Sequence, residues 1–240
     1  MSKQRQIIAV GGGGFSGEPD NPAMELYILK QSGASNPKVC FIPTATGDDP
    51  RYTVSFNSFF TRHGCRPSYL PLFARTPELR PYLLDQDVIY VGGGNTKSML
   101  AVWREWGLDR ILREAWEAGV VLSGVSAGAI CWFQQGITDS FAGNLRVMDC
   151  LGFLGGSCCP HYDGEKERRP TFHSLLSENR IQSGYAIEDG AAVHFIGGDI
   201  HKAVASRPNA RAYRMRLVNG APEEQPLDTE FLGSKEGTGQ

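Results

Sequence analysis

The 240-residue sequence lacks a long apolar run, a strong net charge and any pair of cysteines with Cys-x-x-Cys spacing. The first apolar run, residues 7–10, is too short for a signal peptide, and the uncharged stretch 118–138 contains serine, glutamine and glycine, so no membrane span is expected. The 24 basic and 26 acidic side chains give a net charge of −2, which provides no electrostatic basis for binding nucleic acid. The six cysteines are expected to be reduced thiols of a cytoplasmic protein, without a zinc site.

Short apolar runs that end in glycine or other small residues recur along the chain. Continuous runs of this length are typical of strands that are buried on both faces of a parallel sheet. These runs are residues 7–10, 39–42, 88–91 and 120–122. The segments with helical periodicity are residues 23–32, 55–62, 98–105 and 108–118. Alternating strands and helices predict βαβ units, in which ligands bind outside the carboxyl ends of the strands.

The last third of the chain has a different pattern. Residues 191–196 and 212–218 are predicted to be further strands, which need not be parallel to the others. Residues 221–240 contain two prolines and a glycine-rich end, which predicts a flexible tail. We therefore expect a single domain over residues 1–240, with that tail at its end.

The sequence Gly-Val-Ser-Ala-Gly at residues 124–128 matches the Gly-x-Ser-x-Gly pattern of a nucleophile elbow. A predicted strand precedes it and a predicted helix, residues 127–133, follows it, which is the context that this turn requires. A sharp turn there would expose the Ser126 hydroxyl and direct the backbone N–H of Ala127 towards a developing oxyanion. The alternative is a serine that only caps a helix between small residues.

A second glycine-rich turn, Gly-Gly-Gly-Asn-Thr at residues 92–96, follows another buried strand. Backbone amides exposed at Gly93 and Gly94, with Asn95 beside them, could complete an oxyanion hole. The alternative is a tight turn that merely needs positive φ. The glycine run at residues 11–17 can be fitted to a dinucleotide fingerprint, but no suitable acidic residue follows a second strand.

Three motifs in this order resemble the peptidase E family of serine peptidases, family S51, whose members include aspartyl dipeptidase and cyanophycinase. They are residues 91–96, residues 124–129 and Pro-His-Tyr-Asp at 160–163, and the resemblance extends from the first strand to about Val218. It implies an α/β fold, a three-layer αβα sandwich with a mostly parallel sheet. This fold is flavodoxin-like and akin to class I glutamine amidotransferases, with serine in place of their cysteine. It also implies neither a metal nor an organic cofactor.

A nucleophilic serine needs a base, and the base needs an acid that orients it. His161 occupies the Pro-His position of the family, so the resemblance implies that it is the base. Asp189, before a glycine and a predicted strand, is the first candidate for the acid. Asp139 lies where the family has another acidic residue of the charge relay, and Glu188 would serve after a shift of one residue.

Several cationic side chains follow His161 and could select an acidic substrate. Arg168 and Arg169, with Lys166, lie in this segment, and an arginine fork suits a carboxylate. The segment looks shorter than in the aspartate-specific enzyme, so a broader dipeptidase or cleavage of β-aspartyl links stays open. We expect a short peptide as substrate, and the sequence leaves open whether the protein is a monomer or a homodimer.

Two other functions compete with a peptidase. An α/β-hydrolase-type esterase would need its histidine late in the chain, where only His194 and His201 occur. A non-catalytic binding member of the amidotransferase-like fold would need neither Ser126 nor His161.

Overall fold

The structure is a computed structural model that describes residues 4–233, and these residues form two β-sheets with flanking helices. The strands are β1 (Gln6–Val10), β2 (Lys38–Ile42), β3 (Arg66–Tyr69), β4 (Val88–Val91), β5 (Val121–Val125), β6 (Phe133–Thr138), β7 (Arg146–Asp149), β8 (Leu154–Cys159), β9 (Gly184–Ile187), β10 (Ala191–Ile196), β11 (Asp199–Ala205), β12 (Ala212–Val218), β13 (Ala221–Pro226) and β14 (Thr229–Phe231). The helices are α1 (Ala23–Lys30), α2 (Pro50–Arg62), α3 (Leu79–Leu84), α4 (Thr96–Trp106), α5 (Leu108–Glu117), α6 (Ala127–Ile130) and α7 (Arg168–Ser177), with a 3₁₀ turn at Thr44–Thr46.

The larger sheet has the strand order β14-β11-β10-β1-β5-β4-β2-β3. Its five strands from β3 to β1 are mutually parallel, and β10 joins β1 in the antiparallel direction. Helices pack on both faces of this sheet, so the predicted α/β sandwich with a mostly parallel sheet is confirmed. The carboxyl ends of β1, β4 and β5 meet at one edge, and that edge carries the glycine-rich turns.

Alternation along the strands explains why both faces are apolar. Ile7 and Ala9 of β1 belong to a core that includes Met99 of α4, whereas Ile8 belongs to a core with Phe56 of α2. Because each strand is covered on both sides, it needs a continuous apolar run rather than an alternating one.

A second sheet, with the order β13-β12-β9-β8-β6-β7, was not predicted. Helix α7 packs on it, and Phe133 joins it to the larger sheet through an edge contact with Phe195 of β10 at 5.7 Å. The helix predicted for residues 127–133 ends at Ile130, because Phe133 is fully buried between the sheets and begins β6. Tertiary pairing therefore overrides the local pattern there.

The prediction of a flexible tail from residue 221 is wrong for most of residues 221–233, which form two strands. Strand β13 pairs with β12 through Ala221–Pro226, and β14 pairs with β11 through Thr229–Phe231. Pro222 and Pro226 fit because β13 is an edge strand, where proline removes no essential ladder bond. Residues 234–240 of that tail lie outside the described residues, and a single domain over the chain stays a prediction.

Within residues 4–233, no helix has the length and apolar character needed to cross a membrane.

His194 of β10 is fully buried between β1 and α1. Its Nδ1 is 2.7 Å from the Tyr27 hydroxyl and its Nε2 is 3.0 Å from Oε1 of Gln6. Burial lowers its pKa to about 4, and the nearby His201 and Lys202 act in the same direction. The folded protein therefore holds His194 neutral.

Because the pKa of His194 is about 4 in the folded chain and near 6.5 when unfolded, the unfolded chain binds the extra proton in that interval. We expect the wild type to lose up to about 3 kcal/mol of unfolding free energy relative to His194→Gln as the pH falls through it. Urea denaturation of both proteins at a series of pH values measures this difference.

Glu25 has the opposite effect, because burial raises its pKa to about 7 and its contribution to stability is lost as the pH rises from about 4.5. Both proteins contain Glu25, so the difference between them isolates His194. Two stability curves that stay parallel with pH would contradict the prediction.

Candidate active site

Ser126 lies at a sharp turn between β5 and α6. Its backbone has φ 58° and ψ −111°, a conformation that non-glycine residues adopt rarely and chiefly at functional turns. Its N–H donates to the Val10 carbonyl at 3.1 Å. A Cβ on Gly124 would lie 2.5 Å from the Gly128 carbonyl oxygen, and one on Gly128 would lie 2.2 Å from that of Val91. The two glycines of the motif are therefore required by close backbone packing, and the turn has the geometry of a nucleophile elbow.

His161 and Asp189 form a hydrogen-bonded pair, with Nδ1 of the histidine 2.7 Å from Oδ1 of the aspartate. Each side chain is about one-fifth exposed, at 22% and 21%. The hydrogen bond from His161 lowers the pKa of Asp189 despite partial burial, and the positive charges of Arg207 and Arg168 add to this. An ionised Asp189 favours a proton on Nδ1, which leaves Nε2 of His161 as the acceptor.

Ser126 and His161 line the same cavity, which has a volume of about 330 Å³. Asn95 lines it from the glycine-rich turn after β4, and Asp139 and Glu165 contribute carboxylates. The cavity therefore brings a serine, a histidine and charged groups together at the carboxyl edge of the larger sheet, as expected for this class of fold.

The glycine-rich turn after β4 lies directly beside Ser126. A Cβ built on Gly93 would be 3.3 Å from Cβ of Ser126 and 3.8 Å from its Oγ. Gly94 has φ 133° and its Cβ would lie 2.5 Å from the Ala45 carbonyl oxygen, so this turn must be glycine. Ala127 is the first residue of α6, where a backbone N–H has no acceptor within the helix. The turn after β4 and the start of α6 therefore both lie close to the serine.

Asn95 has a structural task besides lining the cavity. It is the N-cap of α4, and its Oδ1 accepts the N–H of Ser98 at 2.8 Å. Its Nδ2 lies 3.4 Å from the Ser140 carbonyl oxygen. The N-cap bond therefore holds the side chain at the cavity, and the predicted role of Asn95 beside the oxyanion stays a prediction.

The other two candidate acids have different partners. Asp139 is 66% exposed, and its Oδ1 lies 3.9 Å from Nη2 of Arg168. Glu188 accepts from the Tyr213 hydroxyl and from the N–H of Arg211, both at 2.8 Å. The carboxylate beside His161 is that of Asp189, the first candidate from the sequence.

The two predicted substrate-binding arginines point in different directions. Arg168 is 2% exposed and lines the cavity, and it donates from Nε to Glu165 at 2.7 Å and from Nη1 to the Ile137 carbonyl at 2.8 Å. Arg169 instead stacks 4.7 Å from the centre of the Tyr162 ring, outside that cavity. Arg169 does not line the cavity that Arg168 lines, because successive helical residues point about 100° apart, and its role in substrate binding stays a prediction.

Sequence reasoning missed three residues that hold the histidine–aspartate pair. Asp163 accepts the backbone N–H of Asp189 at 2.8 Å. A Cβ on Gly12 would lie 1.9 Å from Oδ1 of Asp189 and 2.6 Å from Nδ1 of His161, and one on Gly164 would lie 2.4 Å from Oδ2 of Asp189. Asp163 belongs to the Pro-His-Tyr-Asp motif and Gly12 to the first glycine run. Both residues therefore lie in motifs that the sequence shows, but the motifs alone do not indicate what these two residues do.

Strand β13 also reaches the back of this pair. Glu224 accepts from the Tyr162 hydroxyl at 2.6 Å, and its other oxygen lies 3.6 Å from Nη2 of Arg169. The same guanidinium lies 3.5 Å from Glu188. Glu224 and Arg169 therefore connect the residue after His161 to the residue before Asp189, which fixes the two loops relative to each other.

Among the described residues, no group of three or more His, Cys, Asp or Glu side chains is placed to hold a metal ion.

Covalent hydrolases combine a serine at an elbow with a histidine–carboxylate pair, and here Ser126 and His161 line one cavity. Residues 7–203 match the model of peptidase family S51, and the chain belongs to that family. The predicted resemblance is thus confirmed, and the membership supports a peptidase.

Relatives agree with this assignment. The uncharacterized peptidase YgaJ of Bacillus subtilis is 53% identical over 230 residues, covering 95% of this chain and 100% of the relative. The uncharacterized peptidase Lmo0363 of Listeria monocytogenes is 30% identical over 191 residues, covering 73% and 90%.

Solved structures share the fold. A peptidase from an acI-B1 Actinobacterium superposes with a TM-score of 0.72 at 18% identity and covers 96% of both chains. A candidate peptidase E protein from Listeria monocytogenes EGD-e superposes with a TM-score of 0.61 at 24% identity and covers 82% of this chain and 96% of that one.

Substitution of Gly12 by alanine tests the close approach around the histidine–aspartate pair. The added Cβ must displace Asp189, His161 or both, so we expect peptide hydrolysis to fall about a hundredfold or more. Gly155→Ala is the matched control, because a Cβ there meets no atom within 4 Å. Steady-state kinetics with thermal unfolding of both variants measures the effect, and a Gly12→Ala protein with wild-type turnover would refute it.

Proposed function

We propose that the protein is a serine-type peptidase that cleaves short peptides through an acyl-enzyme on Ser126. The observation that carries the proposal is the 2.7 Å contact of Asp189 with His161, a histidine that lines the same cavity as Ser126. The strained backbone of Ser126 supports it, because such an elbow presents the hydroxyl to a bound substrate.

In the proposed reaction, Nε2 of His161 takes the proton of Ser126 Oγ as this oxygen attacks the scissile carbonyl carbon. The N–H groups of Ala127 and of Gly93 or Gly94 stabilise the oxyanion, and each such donor contributes about 3 kcal/mol to lowering the barrier. The carbon–nitrogen bond then breaks, and His161 returns the proton to the leaving amine. A water molecule, deprotonated by His161, hydrolyses the acyl-enzyme, while Asp189 stays ionised and orients the imidazole.

The size and charge of the cavity guide the substrate proposal. A volume of about 330 Å³ at the serine suits a dipeptide unit. An N-terminal aspartate would have to use the Arg168 guanidinium, for which the carboxylates of Glu165 and Asp139 compete. We therefore propose a dipeptidase-like activity that accepts neutral N-terminal residues at least as well as aspartate.

The alternatives have weaker support. An esterase with a late histidine would need that imidazole at the serine, but neither His194 nor His201 lines the cavity with Ser126, and both nitrogens of His194 have partners. A non-catalytic role leaves the pairing of His161 with Asp189 without a purpose. A cytoplasmic location stays a prediction from the sequence.

A dipeptide panel with Ser126→Ala tests the proposed function. The wild type should cleave neutral dipeptides at least as fast as Asp-X and β-Asp-X dipeptides, and the variant should lose about a thousandfold or more of kcat. Ser55→Ala, at an exposed position of α2, is the matched control and should behave as wild type. Turnover that survives in Ser126→Ala would exclude Ser126 as the nucleophile, and a strict preference for Asp-X would contradict the proposed role of the carboxylates.

A further inference from the structure

The cavity at Ser126 adjoins a larger one. This second cavity has a volume of about 870 Å³ and lies between the loop before β7 and helix α7. Asp139 and Glu165 line both cavities, so the two spaces meet at these carboxylates. The larger cavity exceeds what a dipeptide bound at the serine would occupy, so it offers space for more of a substrate.

The junction between the cavities is held by internal hydrogen bonds. Arg168 lines the smaller cavity and donates to Glu165, which lines both cavities, and to the carbonyl of the buried Ile137. The Ser140 hydroxyl accepts the N–H of Thr96 at 2.8 Å and lies 2.7 Å from the Thr138 hydroxyl, which fixes the segment that carries Asp139. Hydrogen bonds therefore hold both segments that line the opening between the two cavities.

The lining of the larger cavity has the chemistry that a peptide needs. Thr171 and Asn144 offer a hydroxyl and an amide to a peptide backbone, and Leu145 and Leu175 offer apolar surface to side chains. Charged side chains of both signs complete the lining, and they are Asp139, Glu165, Glu167, Arg146, Lys166 and Arg180. A peptide has backbone polar groups, side chains and charged ends that can pair with such a lining.

We propose that the larger cavity binds the part of the substrate that lies beyond the dipeptide unit, so that peptides of four to six residues are better substrates than dipeptides. An extended chain advances about 3.3 to 3.6 Å per residue, so a few residues on one side of the scissile bond cross the junction and fill the space. The inference rests on the proposed function, because it places the scissile bond at Ser126. The larger cavity adjoins the smaller one at Asp139 and Glu165, so it serves one side of that bond and we expect the effect of length to be one-sided.

A series of neutral peptides lengthened separately at the amino and the carboxyl end tests this inference. We expect kcat/KM to rise about tenfold or more for extension at one end and to stay nearly constant at the other, because added contacts improve binding of the transition state. Equal gains at both ends, or a gain at neither, would overturn the inference.

Thr171→Trp places a bulky ring in the larger cavity and should reduce the ratio of kcat/KM for the long peptide to that for the dipeptide about tenfold. Thr61→Trp, at an exposed position of α2, is the matched control. Ser174→Trp, at an exposed position of α7 in the same cavity, gives the same test if Thr171→Trp does not fold. A ratio unchanged in folded variants would overturn the inference.

The two proposals fail in different ways. If the wild type cleaves no peptide of any length in the series or the panel, the proposed function fails. If it cleaves dipeptides in a manner that depends on Ser126 but shows no one-sided effect of length, the proposed function holds and the larger cavity is not part of the substrate site.

Discussion

The close approach of the first glycine run to the loops around His161 and Asp189 is the constraint on which the site depends. A Cβ on Gly11 would lie 2.3 Å from the Glu188 carbonyl oxygen, and Gly12 forms a bridge to Asp189. His161 donates its backbone N–H to the Gly11 carbonyl at 3.3 Å. Only a chain without side chains at these two positions lets the end of β1 in the larger sheet contact loops that follow strands of the smaller one.

This contact joins two sheets that supply different parts of the candidate chemistry. The larger sheet carries the elbow after β5 and the amide-rich turn after β4, whereas His161 follows β8 and Asp189 follows β9 of the smaller sheet. Glu224 of β13 then supports both loops from behind through Tyr162 and Arg169. The smaller sheet therefore positions the histidine–aspartate pair, and the larger sheet presents Ser126 at the cavity that His161 also lines.

The parts that the sequence predicted are those with a local signal. The apolar runs of β1, β2, β4 and β5 are continuous because both faces are buried, and the motifs around Ser126 and His161 are contiguous. The second sheet was missed because strands such as β8 and β13 are rich in glycine or polar residues and become strands only through long-range pairing. The choice between Asp189 and Asp139 likewise depends on which loop packs against His161, and no periodicity reports that.

Whether Asp189 is the acid that orients His161 towards Ser126 can be tested by fluorophosphonate labelling. The rate at which the reagent labels Ser126 is measured in Asp189→Asn and in Asp139→Asn, with the adduct mapped by mass spectrometry. An asparagine in place of the orienting acid favours the wrong histidine tautomer, so we expect labelling of Asp189→Asn to slow about a thousandfold or more. Asp139→Asn, whose side chain is exposed and lies beside Arg168, should label within about tenfold of the wild type. Normal labelling of Asp189→Asn with loss in Asp139→Asn, or an adduct at a residue other than Ser126, would contradict the account.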